Sequence, residues 1–235
     1  GGKTAGGIPI AAGCGDNAGA ALGINAQIGD MVISLGTSGT AFISTKTSTN
    51  DGSGEVAGFA DATGNFLPLA CTLNAAKVFA SVARLLNVSL DDFSALALKA
   101  KAGAGGIRLL PHFDGERTPN RPNARGNYLG ITNENLTREN LARAAIEGVI
   151  AGMVYAANSL KREGFSPNRI LLIGGAAKNK AVQEITASMF ASSIYLPNVG
   201  EYVADGAAKQ AAWALLGEMP TWNLGEVTHH TSDAT

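Results

Sequence analysis

The sequence predicts an α/β fold in which helices flank a mixed sheet, and two patterns carry this prediction. In the first half of the chain, residues 31–35 and 40–44 are β-prone and are separated by the sequence GTSG, which is typical of an antiparallel hairpin. In the last third, short apolar runs alternate with helical patterns, which is typical of parallel strands joined by helices. A sheet with both kinds of pairing accounts for both parts of the chain.

The composition indicates a folded, nearly neutral protein. Its 235 residues carry 18 basic and 19 acidic side chains, for a net charge of −1, and 46% of them are hydrophobic. This apolar content excludes a disordered chain, and the charge balance offers no basic surface for nucleic acid. No apolar run approaches the ~20 residues of a membrane span. Cys14 and Cys71 are too few for a disulfide framework, so we expect a cytoplasmic protein with no membrane or nucleic-acid partner.

The amino-terminal part is expected to open with a strand and a helix. Residues 8–12 form a short apolar run between glycines, which predicts a buried strand. A helix is expected next, with Asp16 as its cap and small residues that allow close packing against a sheet. Beyond the hairpin, residues 56–60 and 65–70 are predicted as two further strands around a turn at residues 63–64.

The middle of the chain is predicted to be helical, with one long irregular segment. Apolar residues recur at helical spacing over residues 73–86, and a shorter helix is predicted over residues 91–100. A strand over residues 107–110 precedes residues 114–126, which are polar and too long for a simple connection, so this segment is a candidate functional loop. Thr137 is predicted to begin the longest helix, whose broad apolar stripe indicates a central core element.

The last third repeats a strand–helix order twice. Strands are predicted over residues 170–173 and 194–196, and helices over residues 179–191 and 205–216. No repeat or linker divides the chain, so residues 1–220 are expected to form one domain. Residues 221–235 are predicted to be a loose tail.

Asp16 is the first candidate for chemistry, because it stands at a strand-to-helix turn that follows glycines. An aspartate there is either a helix cap or a catalytic carboxylate, and the residue type alone does not decide. The surrounding GCGDNA fits the dinucleotide-binding pattern G-x-G-x-x-A, but no acidic residue ends the next strand to bind a ribose. The GKT of residues 2–4 resembles the end of a P-loop but lacks the preceding strand and glycine.

Two other glycine-rich segments are candidates for nucleotide binding. Residues 34–40, SLGTSGT, offer hydroxyl and backbone N–H groups between two strands, which suits a phosphate chain and also an ordinary hairpin turn. Residues 174–177, GGAA, lie between a strand and a helix, where small side chains make room for a flat ring or simply end the strand. His112, His229 and His230 show no metal-ligand spacing with the cysteines, so no protein-ligated metal is predicted.

The order of these segments carries a family resemblance. Residues 12–18 (AGCGDNA), 34–40 (SLGTSGT), 110–119 (LPHFDGERTP) with 124–126 (ARG), and 172–176 (LIGGA) resemble, in sequence and in order, the carboxy-terminal domain of the FGGY carbohydrate kinases. The resemblance runs from the first residue through the last predicted helix, and the GERTP sequence is its most specific part. Within the family, the chain is most similar to members that phosphorylate D-xylulose.

This resemblance implies the actin-like ATPase fold, which is ribonuclease H-like, with nucleotide bound on the domain present here and most sugar contacts on an amino-terminal domain absent from this chain. It implies ATP-dependent phosphorylation of D-xylulose to D-xylulose 5-phosphate, with Asp16 as the general base. Mg²⁺ would bridge the phosphates. The residues that match the nucleotide-binding motifs are Gly36, Thr37 and Ser38 for the phosphates and Gly174, Gly175, Ala176 and Asn179 for the adenosine.

Several alternatives stay open at this point. The sequence does not separate D-xylulose from ribulose, gluconate or another polyol as the acceptor. A nicotinamide-binding domain, or a non-catalytic actin-like module that binds ATP without using Asp16, are the rival functions. The resemblance also suggests a homodimer, and it implies that the isolated chain turns over no sugar. Glu116, Arg117 and Arg125 are interpreted as structural rather than catalytic.

Overall fold

The computed structural model describes residues 1–198, 200–222 and 228–230, and its centre is a six-stranded sheet between two layers of helices. The strands are β1 (Gly2–Lys3), β2 (Pro9–Ile10), β3 (Asp30–Leu35), β4 (Gly39–Ile43), β5 (Leu69–Thr72), β6 (Arg108–Leu110), β7 (Asn127–Leu129), β8 (Arg169–Ile173), β9 (Ile194–Leu196) and β10 (Thr228–His230). The helices are α1 (Asp16–Gly23), α2 (Ala76–Leu85), α3 (Leu90–Lys99), α4 (Arg138–Arg162), α5 (Lys180–Phe190) and α6 (Tyr202–Leu216).

The sheet is mixed, as predicted. Its strand order is β10-β9-β8-β3-β4-β5, and the central β3 pairs antiparallel with β4 and parallel with β8. The register joins Met31 to Ile43 and Leu35 to Gly39, which confirms the predicted hairpin. β8 and β9 are parallel neighbours, so the strand–helix repeat of the last third also has its predicted geometry.

Alternate residues of β3 point to opposite faces of the sheet and contribute to two cores. Met31, Ile33 and Leu35 are fully buried in the larger core, together with apolar residues of α2, α3, α4 and α5. We call this side the α4 face. Val32 lies in the smaller core with alanines of α1, and α6 packs along α1, so we call this side the α1 face.

The long helix α4 begins where the sequence predicts. Thr137 is its N-cap, and the Thr137 hydroxyl oxygen accepts a hydrogen bond from the backbone N–H of Asn140 at 3.2 Å. Gly164 follows the helix with a φ of +89°, a left-handed conformation that favours glycine. The buried residues of α4 recur at helical spacing as far as Leu160, so this helix forms the centre of the α4 face.

On the other side of the sheet, α1 and α6 approach so closely that their contact requires glycine. A Cβ atom at Gly206 would collide with the backbone carbonyl of Gly19. A Cβ atom at Gly23 would likewise collide with the carbonyl of Tyr202. The small residues of α1 therefore serve two contacts, one with the sheet and one with a second helix.

The predicted buried strand over residues 8–12 is wrong. Only Pro9 and Ile10 form a strand, and it pairs antiparallel with β1 in a separate two-stranded sheet. Ile8 is 67% exposed and Ile10 is 51% exposed. This apolar run turns back on the first residues of the chain instead of entering the main sheet, so it stays at the surface. The GKT sequence is part of the same hairpin rather than a loop before a helix.

The region between β4 and β5 contains less strand than predicted. Residues 56–60 and most of residues 65–70 form only isolated bridges, and β5 begins at Leu69. The Asp61 carboxylate accepts hydrogen bonds from the backbone N–H groups of Thr63 and Asn65, at 2.8 and 2.7 Å. Side-chain bonds of this kind satisfy the backbone in a turn and compete with strand pairing.

Besides β1, two other short strands, β7 and β10, are not predicted by the sequence patterns. β7 pairs with β6 in a two-stranded sheet, and β10 pairs with β9 at the edge of the main sheet. Thr228–His230 therefore belong to the sheet rather than to a loose tail, while residues 223–227 and 231–235 of the predicted tail lie outside the described residues. Among the described helices, none has the length and apolar character needed to cross a membrane.

Candidate active site

A cavity of about 680 Å³ opens at the carboxyl ends of β3 and β8. Because these strands are parallel neighbours, with Ser34 opposite Ile173, the turns that follow them lie side by side. The start of α1, the turn at residues 174–178 and residues 196–198 and 200–203 complete the walls. Open α/β sheets bind ligands at this position, and the volume suits a molecule the size of a nucleotide.

The turns after β3 and β8 touch at a point that only glycine allows. Gly174 has a φ of +95°, and a Cβ atom there would lie 2.6 Å from the carbonyl oxygen of Leu35. In the neighbouring turn, the Gly36 N–H donates to the Ser38 carbonyl at 3.1 Å, and the side chains of Thr37 and Ser38 are exposed. The two glycine-rich segments that the sequence predicts as nucleotide-binding are therefore neighbours in the fold.

Asp16 is the first residue of α1, and it is exposed on the cavity wall. The predicted capping role is wrong, because Gly15 occupies the N-cap position and the helix has no side-chain cap. Asp16 Oδ1 instead accepts from the backbone N–H of Asn17 at 2.8 Å and from Asn17 Nδ2 at 3.2 Å. The Asp16 carboxylate therefore faces any ligand that fills the cavity.

One side-chain hydrogen bond joins the start of α1 to the hairpin. The Thr40 hydroxyl, near the start of β4, donates to Asn17 Oδ1 at 3.2 Å. This bond holds Asp16 at the sheet edge where the turns after β3 and β8 meet. The fold thus brings together one carboxylate and two glycine-rich turns that are far apart in the sequence.

The charged loop at residues 114–126 reaches the same region through Arg117. Burial raises the pKa of the Cys71 thiol, which lies opposite Thr40 in the β4–β5 pair, and the nearby Arg117 guanidinium opposes that rise. Glu116 is 4% exposed, and its carboxylate accepts from the backbone N–H of Leu73 at 2.6 Å. Glu116 therefore ties the loop to the chain after β5, in the structural role that its context predicts.

Three of the predicted site residues line the cavity, namely Asp16, Gly174 and Gly175. Asn179 is the N-cap of α5, where its Oδ1 accepts from a backbone N–H of that helix at 3.2 Å and from the Ser94 hydroxyl at 2.8 Å. Its contact with adenosine stays a prediction. The predicted residues outside the cavity wall lie in the same two turns or at the start of α5, and they are Gly36, Thr37, Ser38, Ala176 and Asn179.

Sequence reasoning did not assign several polar residues of the cavity wall, among them Lys178, Gln183, Asn198 and Glu201. Lys178 directly follows the GGAA segment, so extending that candidate segment by one residue would have included it. Gln183 Nε2 donates to the Ala177 carbonyl at 2.7 Å and holds the turn in place. Asn198 and Glu201 come from the connection between β9 and α6, whose position depends on the strand order rather than on any local motif.

Curated relatives match most of the chain. The xylulose kinase of Streptomyces rubiginosus is 41% identical over 215 residues, which cover 91% of this chain and 43% of the relative. The xylulose kinase of Haemophilus influenzae is 35% identical over 208 residues, which cover 88% of this chain and 42% of the relative. The chain therefore spans less than half the length of the curated relatives it matches.

Solved structures give the same result for the fold. The crystal structure of xylulose kinase from Bifidobacterium adolescentis matches with a TM-score of 0.84 and 46% identity, covering 94% of this chain and 44% of that one. The structure of Plasmodium falciparum glycerol kinase with ADP matches with a TM-score of 0.77 at 19% identity, which shows the fold alone; it covers 93% of this chain and 46% of that one. The predicted actin-like ATPase fold is confirmed.

The family assignment rests on a match across most of the chain. Residues 31–215 match the family described as the FGGY family of carbohydrate kinases, C-terminal domain. The match contains β3, β4 and β8 together with the turns that border the cavity. Because this match covers well over half of the chain and the curated relatives agree with it, the chain belongs to the FGGY family of carbohydrate kinases.

Proposed function

We propose that this protein transfers the γ-phosphate of ATP to a hydroxyl group of D-xylulose and releases D-xylulose 5-phosphate. The observation that carries the proposal is Asp16, a carboxylate at the start of a helix that is exposed on the wall of a nucleotide-sized cavity. Membership in a family of carbohydrate kinases supports the reaction. The similarity to proteins named xylulose kinase supports the sugar.

In this reaction, Asp16 acts as the general base. The sugar oxygen forms a bond to the γ-phosphorus, the bond from that phosphorus to the β–γ bridging oxygen breaks, and ADP leaves. Asp16 accepts the proton that the sugar hydroxyl loses. Phosphoryl transfer depends chiefly on positioning and on charge stabilisation, so a carboxylate at a fixed place on the wall is what the step requires.

The nucleotide is proposed to lie along the turns after β3 and β8. The backbone N–H groups and the hydroxyls of Thr37 and Ser38 would hold the phosphates. Gly174 and Gly175, without side chains, let the nucleotide approach the backbone closely. The adenosine would extend from there past Ala176 toward the start of α5, where Asn179 stands.

Mg²⁺ is part of the proposal as the ion that accompanies the nucleotide. Among the residues that the structure describes, no three His, Cys, Asp or Glu side chains gather as ligands for a metal ion, and the cavity wall offers the carboxylates of Asp16 and Glu201. Mg²⁺ is commonly bound by substrate phosphates, water and one or two carboxylates, so this donor set fits an ion carried by ATP. When bound, Mg²⁺ would offset the repulsion between the phosphates and Asp16.

The proposal assigns residues 1–220, together with strand β10 of the main sheet, to the nucleotide-binding half of a longer kinase. The relatives are more than twice as long as the part they share with this chain. We assign most sugar contacts to a separate amino-terminal domain. The isolated chain is then expected to bind ATP weakly and to phosphorylate no sugar, because closure of two domains completes the site. We also propose that the protein is cytoplasmic and forms a homodimer. Light scattering, which measures the molecular mass in solution, tests the dimer.

The first test measures phosphoryl transfer from ATP by the complete two-domain protein to D-xylulose, L-ribulose and gluconate. We expect D-xylulose to be the best acceptor. We expect Asp16→Asn to lower kcat about 10³-fold, which corresponds to about 4 kcal/mol of transition-state stabilisation. Asp91→Asn is the matched control, because Asp91 also lies in the first turn of a helix, α3, but outside the cavity.

The possible outcomes separate the competing functions. Transfer to L-ribulose or gluconate alone would keep Asp16 as the base and change the acceptor. If Asp16→Asn keeps the wild-type kcat, Asp16 is not the general base, and a non-catalytic module that binds ATP becomes the favoured function. Tighter binding of NAD than of ATP would instead support the nicotinamide-binding alternative.

A further inference from the structure

Asn17 and Thr40 form hydrogen bonds that end on the proposed base. The Thr40 hydroxyl donates to Asn17 Oδ1, and Asn17 Nδ2 donates to Asp16 Oδ1, each at 3.2 Å. We propose that Asn17, held by Thr40, is a positioning residue that fixes the Asp16 carboxylate so that Oδ2 accepts the proton of the sugar hydroxyl. This inference rests on the proposed function and deepens it. We call these three residues the Asn17 network.

The chemistry of the three side chains sets the direction of both bonds. An ionised carboxylate only accepts hydrogen bonds, so Asn17 must turn its NH₂ group toward Asp16. The amide oxygen of Asn17 then faces Thr40, and because this oxygen only accepts, the Thr40 hydroxyl must donate its single proton. A reversed amide would place oxygen against the carboxylate and break the bond to Asp16. One arrangement therefore satisfies all three groups.

The Asn17 network begins in a rigid part of the sheet. Thr40 lies in β4, where it is paired with Ser34 of β3 on one side and with Cys71 of β5 on the other. A threonine side chain is also restricted in its first rotamer, so its hydroxyl has a well-defined position. Asn17 and Thr40 are half-buried, whereas Asp16 is exposed. The network thus connects an exposed carboxylate to the central sheet.

The two oxygen atoms of Asp16 have different surroundings. Oδ1 accepts from the backbone N–H of Asn17 at 2.8 Å as well as from Nδ2. Within residues 1–198, 200–222 and 228–230, no group donates to Oδ2. Two donors on one oxygen fix the rotation of the carboxylate, and the other oxygen keeps its lone pairs unused by these residues. A free carboxylate would instead sample many orientations, and misplacement by about 1 Å can cost about 10² in rate.

The test measures single-turnover phosphoryl transfer by the complete kinase, because this reports the chemical step without product release. We expect Asn17→Ala to lower the transfer rate about 10²-fold while the KM for ATP changes less than about twofold. Thr40→Val keeps the branched shape and removes the donor, and it should lower the rate about tenfold. Thr40→Ser keeps the hydroxyl and should recover most of the lost rate.

Matched controls come from similar residues outside the network. Asn158→Ala changes an exposed asparagine on α4, and Thr47→Val changes an exposed threonine beyond β4. Both variants should keep the wild-type transfer rate. Thermal unfolding of every variant checks the fold, and the comparison between Thr40→Val and Thr40→Ser keeps the test decisive if Asn17→Ala is unstable.

Asp16→Asn distinguishes failure of this inference from failure of the proposed function. If Asp16→Asn loses transfer while Asn17→Ala and Thr40→Val keep the wild-type rate, the positioning role is overturned and the base stands. If Asp16→Asn itself keeps the wild-type rate, the proposed function fails and the positioning role fails with it. Equal losses in Thr40→Val and Thr40→Ser would also overturn the inference, because they would trace the effect to packing rather than to the hydroxyl.

Discussion

The two faces of the central sheet are held by different kinds of contact. On the α4 face, large side chains such as Phe93, Ile146 and Met153 are fully buried between the sheet and the helices. On the α1 face, the helix contributes mainly alanine, and α1 meets α6 through backbone contact at Gly19 and Gly206. The proposed base belongs to the α1 face, because α1 begins at Asp16.

This difference separates stability from positioning. Buried apolar surface contributes about 25 cal/mol per Å², so the large side chains of the α4 face supply much of the stability. A contact between two helix backbones has no side chain that can adjust, so it sets the distance between the helices rigidly. We therefore expect substitutions on the α4 face to change the free energy of unfolding, and substitutions on the α1 face to change phosphoryl transfer as well.

The largest effect on stability is expected from Phe93→Ala. Phe93 is fully buried on α3, and its ring centroid lies 6.0 Å from that of Phe79 on α2. Its removal should lower the free energy of unfolding by about 3–5 kcal/mol, through lost burial and the cavity left behind. Urea unfolding measures this loss. Phe59→Ala is the control, because Phe59 is 51% exposed and its removal should change the free energy by less than about 0.5 kcal/mol.

Compared with Phe93→Ala, Gly206→Ala is expected to lower the free energy of unfolding less and the phosphoryl-transfer rate more. The new methyl group would collide with the Gly19 carbonyl, and separation of α6 from α1 should cost about 1–3 kcal/mol. Because Asp16 lies on the same short helix, its displacement should also lower the transfer rate about 10²-fold. Single-turnover assays of the complete two-domain kinase measure this loss at a temperature where the variant is folded.

Gly152→Ala provides the matched control on the other face. Gly152 lies within α4 with open space where its Cβ would stand, so alanine should raise the free energy of unfolding by up to about 1 kcal/mol. The transfer rate should not change. The proposed division between the faces would be contradicted if Phe93→Ala slowed transfer by folded protein more than Gly206→Ala did.

The sequence predicts well those elements whose signals are local. The β3–β4 hairpin has its turn residues between two β-prone runs, and α4 has a capping threonine at Thr137 followed by a long apolar stripe. Residues 8–12 have an equally apolar sequence but stay exposed, because burial depends on which strand they pair with. Asp61 shows the same limit, since its turn bonds replace predicted strand pairing.

The site could be predicted only in part from the sequence. Residue type left Asp16 as either a cap or a base, and the family resemblance favoured the base. The bond from Thr40 to Asn17 joins residues 23 positions apart, and no local pattern indicates that β4 lies against the start of α1. The same holds for Asn198 and Glu201, which reach the cavity because β9 lies beside β8.

The smallest effect is expected from Asp51, in the loop that leads to the α4 face. Its carboxylate accepts from the backbone N–H groups of Val56 and Ser53, each at 2.7 Å, and from the Ser53 hydroxyl at 2.8 Å. These bonds lower the pKa of Asp51 from its ordinary value of 3.8 to about 2, and the bond from the Val56 N–H contributes most. Val56 is buried in the core of the α4 face, so the Asp51 turn supports that face alone.

The pH dependence of the Asp51 effect gives the sharpest test of the proposed division between a stabilising α4 face and a positioning α1 face. Because the pKa of Asp51 is lower in the folded state, its stabilisation is fully present above the ordinary value of 3.8 and is lost as the pH falls through about 2. Asp51→Asn should therefore lower the free energy of unfolding near neutral pH, and its difference from the wild type should shrink across that acidic range. Urea unfolding of both proteins at several pH values measures this. A difference that stays constant with pH would show that the charge of the Asp51 carboxylate is not the cause. A loss of phosphoryl transfer in Asp51→Asn would contradict the proposed separation of stability and positioning between the two faces.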